Sequence, residues 1–166
     1  MKNPKTIRSL FALPGFTASS RLLGVFGDRC ARVVQLARRK KTLVCSRCGL
    51  RCRGRYDKKK LRVRDLSVAG WRIYLEFERW RVSCPRCGGV HVEHLDWLAK
   101  NPRYTQRFAM HVGKLCRDMP NKAVAEMERL HHSTVKDPAS STCKARLSGW
   151  DCRRPGRLVS GIKRGR

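Results

Sequence analysis

Apolar residues recur along this chain with two periods, and the change between them falls near Arg103. Upstream the period is two. Leu61, Val63 and Asp65 alternate with Arg62 and Arg64, while Ile73, Leu75 and Phe77 alternate with Tyr74, Glu76 and Glu78; with Ala69-Gly70 between them, this pattern predicts a β-hairpin. Past Phe77 the apolar positions switch phase to Trp80, Val82 and Cys84, which predicts a bulge near Glu78-Arg79. Nearer the N-terminus, Arg21 to Phe26, the turn-like Gly27-Asp28 and Val33 to Leu36 read as strands, with a helix over residues 30–37 left open. Residues 4–13 predict a short helix with Ile7, Leu10 and Phe11 on one face, stopped by Pro14-Gly15.

From Arg103 onward the period is three to four. Tyr104, Phe108, His111, Val112 and Leu115 predict a helix that ends before Pro120. Asn121 is the expected N-cap of a second helix lined by Val124, Met127 and Leu130. His131-His132 makes a short connection, and Ser133 caps a third helix that opens Thr134-Val135-Lys136 and meets Pro138 at once. Residues 138–166 hold no sustained period and read as an irregular basic tail.

Charge changes the picture more than length does. The 166 residues include 39 Lys and Arg against 12 Asp and Glu, a net +27, and each segment is positive: ten against one in residues 1–44, thirteen against six in 45–99, eight against three in 100–136 and eight against two in 137–166. Such a chain repels itself and calls for a polyanionic partner, which argues against an ordinary small-molecule enzyme. No apolar run approaches the roughly 18 residues a membrane span needs, so no membrane role is expected. With 41% hydrophobic and 31% charged residues the core is modest, and a small basic module needs a staple.

The cysteines supply one. Four of the nine stand in two similar turns, Cys45-Ser46-Arg47-Cys48-Gly49 and Cys84-Pro85-Arg86-Cys87-Gly88, 35 residues apart. A two-residue gap brings both sulfurs of a turn to one cation, and the following Gly accepts the positive φ on which such a turn ends. Two turns joined by a hairpin predict one structural Zn2+ held by Cys45, Cys48, Cys84 and Cys87; two redox pairs or disulfides are the competing readings. The odd cysteine count and the repeated spacing favour a reducing compartment. Cys52, His91 and His94 are nearby donors able to substitute. Cys30 and Cys116 sit in apolar patterns and are expected as buried thiols, whereas Cys143 and Cys152 fall in the tail. No Cys/His/Asp set suggests a nucleophile.

The densest cations are Arg51, Arg53, Arg55, Lys58, Lys59, Lys60, Arg62 and Arg64, with Tyr56 among them. Arg62 and Arg64 share a strand face, a stripe able to track phosphates; the competing reading is a solvated face. The second and third helices have helix-turn-helix spacing, with small Ala125 where the two cross, so Ser133, Thr134 and Lys136 are expected to face the major groove; a plain helical hairpin is the alternative.

The predicted class is therefore α+β: a small zinc-stabilised, zinc-ribbon-like β-hairpin domain, a helix-turn-helix-like segment and an irregular tail. The expected divisions are residues 1–44, an N-terminal helix and basic strands packing on the finger; 45–99, the four-cysteine zinc finger; 100–137, the helical segment; and 138–166, the tail.

The order of a Leu-Pro-Gly element, the first Cys turn, a basic-aromatic hairpin, the second Cys turn, Trp97-Leu98-Ala99, Arg103-Tyr104-Thr105, Phe108 and Thr134-Val135-Lys136 resembles bacterial insertion-sequence transposases of the ISL-three family. The resemblance covers about residues 5–137 and is most specific at the Cys turns, Asp96-Trp97 and His132 to Lys136. It implies a zinc finger and a helix-turn-helix that together recognise the terminal inverted repeats of an element, with double-stranded DNA as partner, homodimer formation or association with full-length transposase, and a cytoplasmic, nucleoid-associated place in a bacterium. Full-length members continue into an RNase H-like domain whose acids bind two metal ions. After Asp137 the sole acid here is Asp151, so the expected protein is no enzyme. A zinc-ribbon RNA-binding or ribosome-associated protein is the alternative, and an interaction module without nucleic acid is a third reading.

The tail carries its own expectation. Back-translated and read one base earlier, Ala139 to Lys144 can yield Lys-Gln-Tyr-Met-Gln, and Trp150 to Ile162 can yield Gly-Leu-Pro-Ala-Pro-Arg-Ala-Ile-Gly-Ile, both resembling the family's continuation. The tail is thus expected to be an out-of-frame remnant. Sequencing the coding DNA should reveal an open frame for the acidic domain in that shifted register; its absence refutes the idea.

Overall fold

The structure, a computed structural model, describes residues 6–131 together with Thr134 and Val135, and Ile7 by its backbone alone. Ser133, Lys136, Cys143, Cys152 and the 138–166 tail lie outside the described residues, as do residues 4 and 5 of the expected first helix. The elements are α1 (Ile7–Leu10), β1 (Phe16–Val25), β2 (Asp28–Arg38), β3 (Leu43–Val44), β4 (Arg51–Cys52), β5 (Arg55–Arg64), β6 (Arg72–Ser83), β7 (Val90–Val92), α2 (Gln106–Asp118) and α3 (Asn121–Glu128). Residues 30–37 are strand, which settles the open alternative.

The main sheet runs β1-β2-β6-β5, with β7 also paired to β6, while β3 and β4 form a separate ribbon. All pairings are antiparallel except β2 with β6, where Ala31 to Gln35 lie beside Arg72 to Glu76. The expected hairpin is β5 and β6. Its turn is a tight one, with Val68 and Trp71 exchanging backbone hydrogen bonds at 2.9 and 3.0 Å, and Ala69 and Gly70 both left-handed at φ 51° and 79°. That conformation suits the strand twist and costs Ala69 strain that Gly70 escapes.

The expected bulge at Glu78-Arg79 is not there. From Arg81 to Tyr74 the register of β6 against β5 is unbroken, and the pairing of Arg81, Val82 and Ser83 with β7 is unbroken too. The pairing shift lies instead on β5, between Arg55 and Asp57. The phase change in β6 has another cause. Ile73, Leu75 and Phe77 enter one core, with Phe16, Ala18, Val34, Leu36, Val63 and Trp97, whereas Val82 and Cys84 enter a second, with Leu43, Cys45 and Cys52. Because alternate side chains of a strand point to opposite faces, one straight strand serves two cores on its two sides. In the first core Phe16, Phe77 and Trp97 meet edge to face, with centroids 4.8 to 5.6 Å apart; each such pair adds about 1 kcal/mol beyond its buried area.

A third core belongs to the helices: Tyr104, Phe108, Val112, Val124, Ala125 and Val135. Thr105 caps α2 by accepting the Phe108 N–H at 3.2 Å. At α3 the expectations need correction. Pro120 takes the N-cap position and Asn121 is already helical, because Pro120 holds an extended backbone and has no N–H to leave orphaned. Met127 is exposed, and Glu128 takes its place on the buried face, where Arg64 and His111 neutralise and bond it. Two further apolar expectations fail at short elements. Leu10 is exposed while Phe11 is buried, one turn of helix being too short to bury a full face, and Cys30 is exposed near the β1–β2 turn. Cys116 is half-buried.

Buried polar groups join the sheet to the helices. Asp65, fully buried just after β5, accepts from Thr105 Oγ1 at 2.8 Å and from Arg107 Nε at 2.6 Å, with Arg107 Nη2 on its other oxygen. The Arg64 carbonyl accepts the Thr105 N–H at 2.9 Å, and the Arg64 N–H donates to the Arg103 carbonyl at 2.9 Å. Substituting Asp65→Ala orphans a buried hydroxyl and leaves a half-buried guanidinium unpaired. It should destabilise the chain by about 3 kcal/mol in denaturant titration, with the loss appearing in probes of both sheet and helices.

Candidate metal centre and nucleic-acid surface

The two Cys turns have the same backbone design. In the first, the Gly49 N–H donates to the Cys45 carbonyl at 3.0 Å and the Cys45 N–H to Leu50 at 2.9 Å; in the second, Gly88 donates to Cys84 at 3.1 Å and Cys84 to Gly89 at 3.0 Å. Gly49 and Gly88 have φ of 73° and 62°, as the spacing requires. β3 and β4 flank the first turn, and β6 and β7 flank the second. Backbone bonds from Ser46 to Val92 (3.2 Å) and from His94 to Val44 (2.8 Å) sew the two halves together.

Cys45, Cys48, Cys84 and Cys87 converge, with all four Sγ within 4.8 Å of one another. Cys48 and Cys84 stand 3.5 Å apart. A tetrahedral ion with metal–sulfur bonds of about 2.3 Å needs sulfurs roughly 3.8 Å apart, so the set fits a metal ion with no coordination position left open. Thiol chemistry agrees. The Cys87 backbone N–H, aided by the Cys48 thiol and the Arg86 N–H, holds Cys84 down to about 6, whereas hydrogen bonding with Cys48, burial and Cys84 push Cys87 up to about 12. The sulfurs share protons as one group, and a thiolate is present at neutral pH for a cation to bind. Cys52 is outside the set of four: its Sγ is 3.6 Å from the Leu50 carbonyl, and burial raises its thiol. His94 bonds Asp96 at 3.0 Å, and His91 is likewise outside the set.

The basic cluster is divided by the fold. Arg51, Arg53, Arg55, Lys58, Lys59, Lys60 and Arg62 are exposed, the last five on β5 at the sheet edge. Arg64 is different: it is 4% exposed, lies over Tyr74 and Phe108, and pairs with Glu128 at 3.4 Å and Ser67 at 3.0 Å. Its place in the solvent stripe is therefore lost, because α3 covers the end of the strand. Two other members face acids on β6, Lys58 with Glu78 at 2.7 Å and Arg62 with Glu76 at 2.9 Å, and Lys60 stands opposite Glu78 in register. Arg51, Arg53, Arg55 and Lys59 make no ion pair among the described residues, although Arg55 lies over the Trp80 ring at 5.0 Å. Of the acids in the described residues, Asp118 and Glu126 alone make no ion pair, so the acids are spent on partners within the chain while these four cations face out unpaired.

The helical part holds α2, α3, a left-handed Arg129 (φ 50°) and a new helical turn at Thr134 and Val135. Val135 is fully buried against α2 and α3, and Thr134 is half-buried at the start of that turn. Small Ala125 lies in the same core, as a close crossing requires. No described helix is long and apolar enough to cross a membrane. Sequence reasoning put Asp65 in phase with Leu61 and Val63 but gave it no partner, and it missed the buried acids Glu93 and Glu128; partners this far along the chain have no period to reveal them.

This arrangement is a sheet with four converging thiols able to hold a metal ion at one end and packed helices of helix-turn-helix spacing at the other. Residues 93–137 match the helix-turn-helix domain of transposase family ISL3. Over 112 residues, 66% of this chain, it is 36% identical to the transposase for insertion sequence element IS1001 of Bordetella parapertussis, and the match spans 28% of that protein. No solved structure matches.

The metal cage has a direct check. Purified chain should carry about one tightly bound metal ion, and Cys45→Ser with Cys84→Ser should reduce this to none with loss of the folded sheet; a folded, metal-free double variant overturns the assignment.

Proposed function

We propose that the chain is the DNA-binding part of an ISL3-type transposase and recognises the terminal inverted repeats of an insertion sequence. The observation that carries this reading is the helix-turn-helix match over residues 93–137, supported by a surface on which cations are left unpaired. One structural Zn2+ on Cys45, Cys48, Cys84 and Cys87 holds the knuckle end of the sheet. Arg51, Arg53, Arg55, Lys58, Lys59, Lys60 and Arg62 contact phosphates, and the helix opening at Ser133, Thr134 and Lys136 reads base edges in the major groove. This part is read as binding DNA without cutting it; among the described residues the buried acids Asp65, Glu93 and Glu128 are each engaged in an ion pair. Pairing with a second copy or with full-length transposase follows from the paired ends of such an element.

Salt tests the electrostatics and competition tests the sequence. Each phosphate neutralised contributes about −0.9 to the slope of log K against log salt. The intact chain should show a slope steeper than about −4, and Arg51→Ala, Arg53→Ala and Lys59→Ala together should flatten it by about 3. Terminal-repeat duplex should outcompete unrelated duplex and structured RNA. A salt-independent response refutes nucleic-acid binding, and preference for RNA refutes the transposase reading.

A further inference from the structure

The end of the main sheet away from the metal cage carries a second constellation. At the β1–β2 turn Phe26 is completely exposed, followed by Gly27 at φ 77°, and Leu23 beside it is 41% exposed. A bare phenyl ring at a hairpin tip is unusual, and this tip is built to hold it. The register between β1 and β2 shifts after Gly24–Arg32, so that Val25 pairs with Asp28 and residues 29–31 have no partner on β1, Ala31 being buried and paired with Arg72 of β6 instead. Arg32 closes the bulge by donating from Nη1 to the carbonyls of Arg29 (2.7 Å) and Ala31 (2.8 Å) and by lying 4.6 Å over the Trp71 ring. Asp28 closes the other side: Oδ1 accepts the Cys30 N–H at 3.0 Å, and Oδ2 pairs with Arg72 of β6. Arg72 thereby neutralises the one acid of the tip and lowers its carboxyl below the usual range. Arg29 and, farther along β1, Arg21 stay exposed and make no ion pair among the described residues.

We propose that this tip is a wedge for double-stranded DNA: Phe26 inserts between adjacent base pairs, and Arg29 with Arg21 holds the flanking phosphates. The inference rests on the DNA-binding reading above and adds a contact outside the helix-turn-helix and the β5 edge. Apolar side chains that enter a base step unstack it and kink the duplex, and a rigid, cation-flanked presentation suits that task. A second copy of the chain is the poorer occupant of the same ring, since it would bring another +27 against a tip whose own acid is already neutralised. The same end of the sheet holds the helices, because Arg64 and Asp65 at the close of β5 bond Arg103, Thr105 and Arg107. Tip and helices thus lie at the same end of the sheet.

The test uses the full chain and mixed-sequence duplexes, one set with dyes at both ends and another with 2-aminopurine replacing adenine at successive positions. The unmodified chain should shorten the end-to-end distance and raise 2-aminopurine fluorescence. Phe26→Ala, at a fully exposed position, should keep the fold and the salt slope, bind about tenfold more weakly and lose both optical signals; Phe26→Trp should retain them. Duplex binding by the unmodified chain with neither signal, or signals undiminished in Phe26→Ala, overturns the wedge alone. So does a Phe26→Ala variant that loses only self-association in sedimentation. Failure of the unmodified chain to bind any duplex overturns the DNA-binding reading and the wedge with it.

Discussion

The structure depends on one strand being buried from both sides. β6 gives Ile73, Leu75 and Phe77 to the main core and Val82 and Cys84 to the core behind the metal cage, without a break in its hydrogen bonding. It is also the partner of β2, β5 and β7, so every large element of the sheet except β1 pairs with it. Its parallel pairing with β2 forces the chain to travel back along the sheet before β6 can begin. The excursion is not a helix here. It consists of the β3–β4 ribbon, the first Cys turn and β5, and a metal ion at that turn would fix where the chain reverses. Cage and sheet are therefore not separate modules, because Cys84 follows directly on the strand whose first half fills the main core.

Charge follows the same division of labour. Asp65 and Glu128 sit where the sheet meets the helices, Glu93 accepts the Trp80 N–H at 2.8 Å and pairs with Arg38 at 2.5 Å, and Asp28 ties the β1–β2 tip to β6. Each of these acids neutralises an arginine that would otherwise be buried or half-buried without a counter-charge. Removing one partner of such a pair is costly even where the pair itself adds little, because the survivor keeps its desolvation penalty. The acids act as rivets between elements, and most of the described lysines and arginines that exceed them stay on the outside. On the edge strand β5 the exposed cations also discourage pairing with a foreign strand, a structural role compatible with phosphate contact.

What could be read in the sequence was local. The Cys-x-x-Cys-Gly spacing fixes its own turn, the Ala69-Gly70 hairpin fixes its own register, and the 3.6-residue period from Tyr104 to Leu115 identifies α2 from its own residues. What was misread depended on something distant. A phase change from Phe77 to Trp80 looks the same whether a strand bulges or passes between two layers, and only the layers decide. Arg64 alternates with Val63 and so falls on the nominal solvent face, until α3, more than fifty residues later, covers it with Glu128. Asn121 has the better capping side chain, yet Pro120, with no N–H to satisfy and an extended ψ of 143°, ends the preceding segment and takes the position. Phe26 counts as one more apolar residue in a strand pattern, and nothing in that pattern reveals that its ring meets only solvent.

The length of β6 also constrains how the proposed interface is used. Twelve residues of strand separate the Cys turns from the helices, roughly 36 Å at about 3.3 Å per interval, which is close to one turn of duplex DNA. A helix placed in one major groove therefore leaves the cage near the next repeat of the backbone if the strand lies along the duplex axis. Across it, the cage would stand clear of the DNA altogether. The unpaired cations favour one of these orientations on physical grounds: Arg51, Arg53 and Arg55 lie at the cage end, on and after β4 and at the start of β5, where they would lower the energy only if phosphates reach that end. In the proposed interface the axial placement would use both ends of the sheet, so that a metal ion in the cage would bear on affinity through the position of β4 and β5 while base reading is left to the helices.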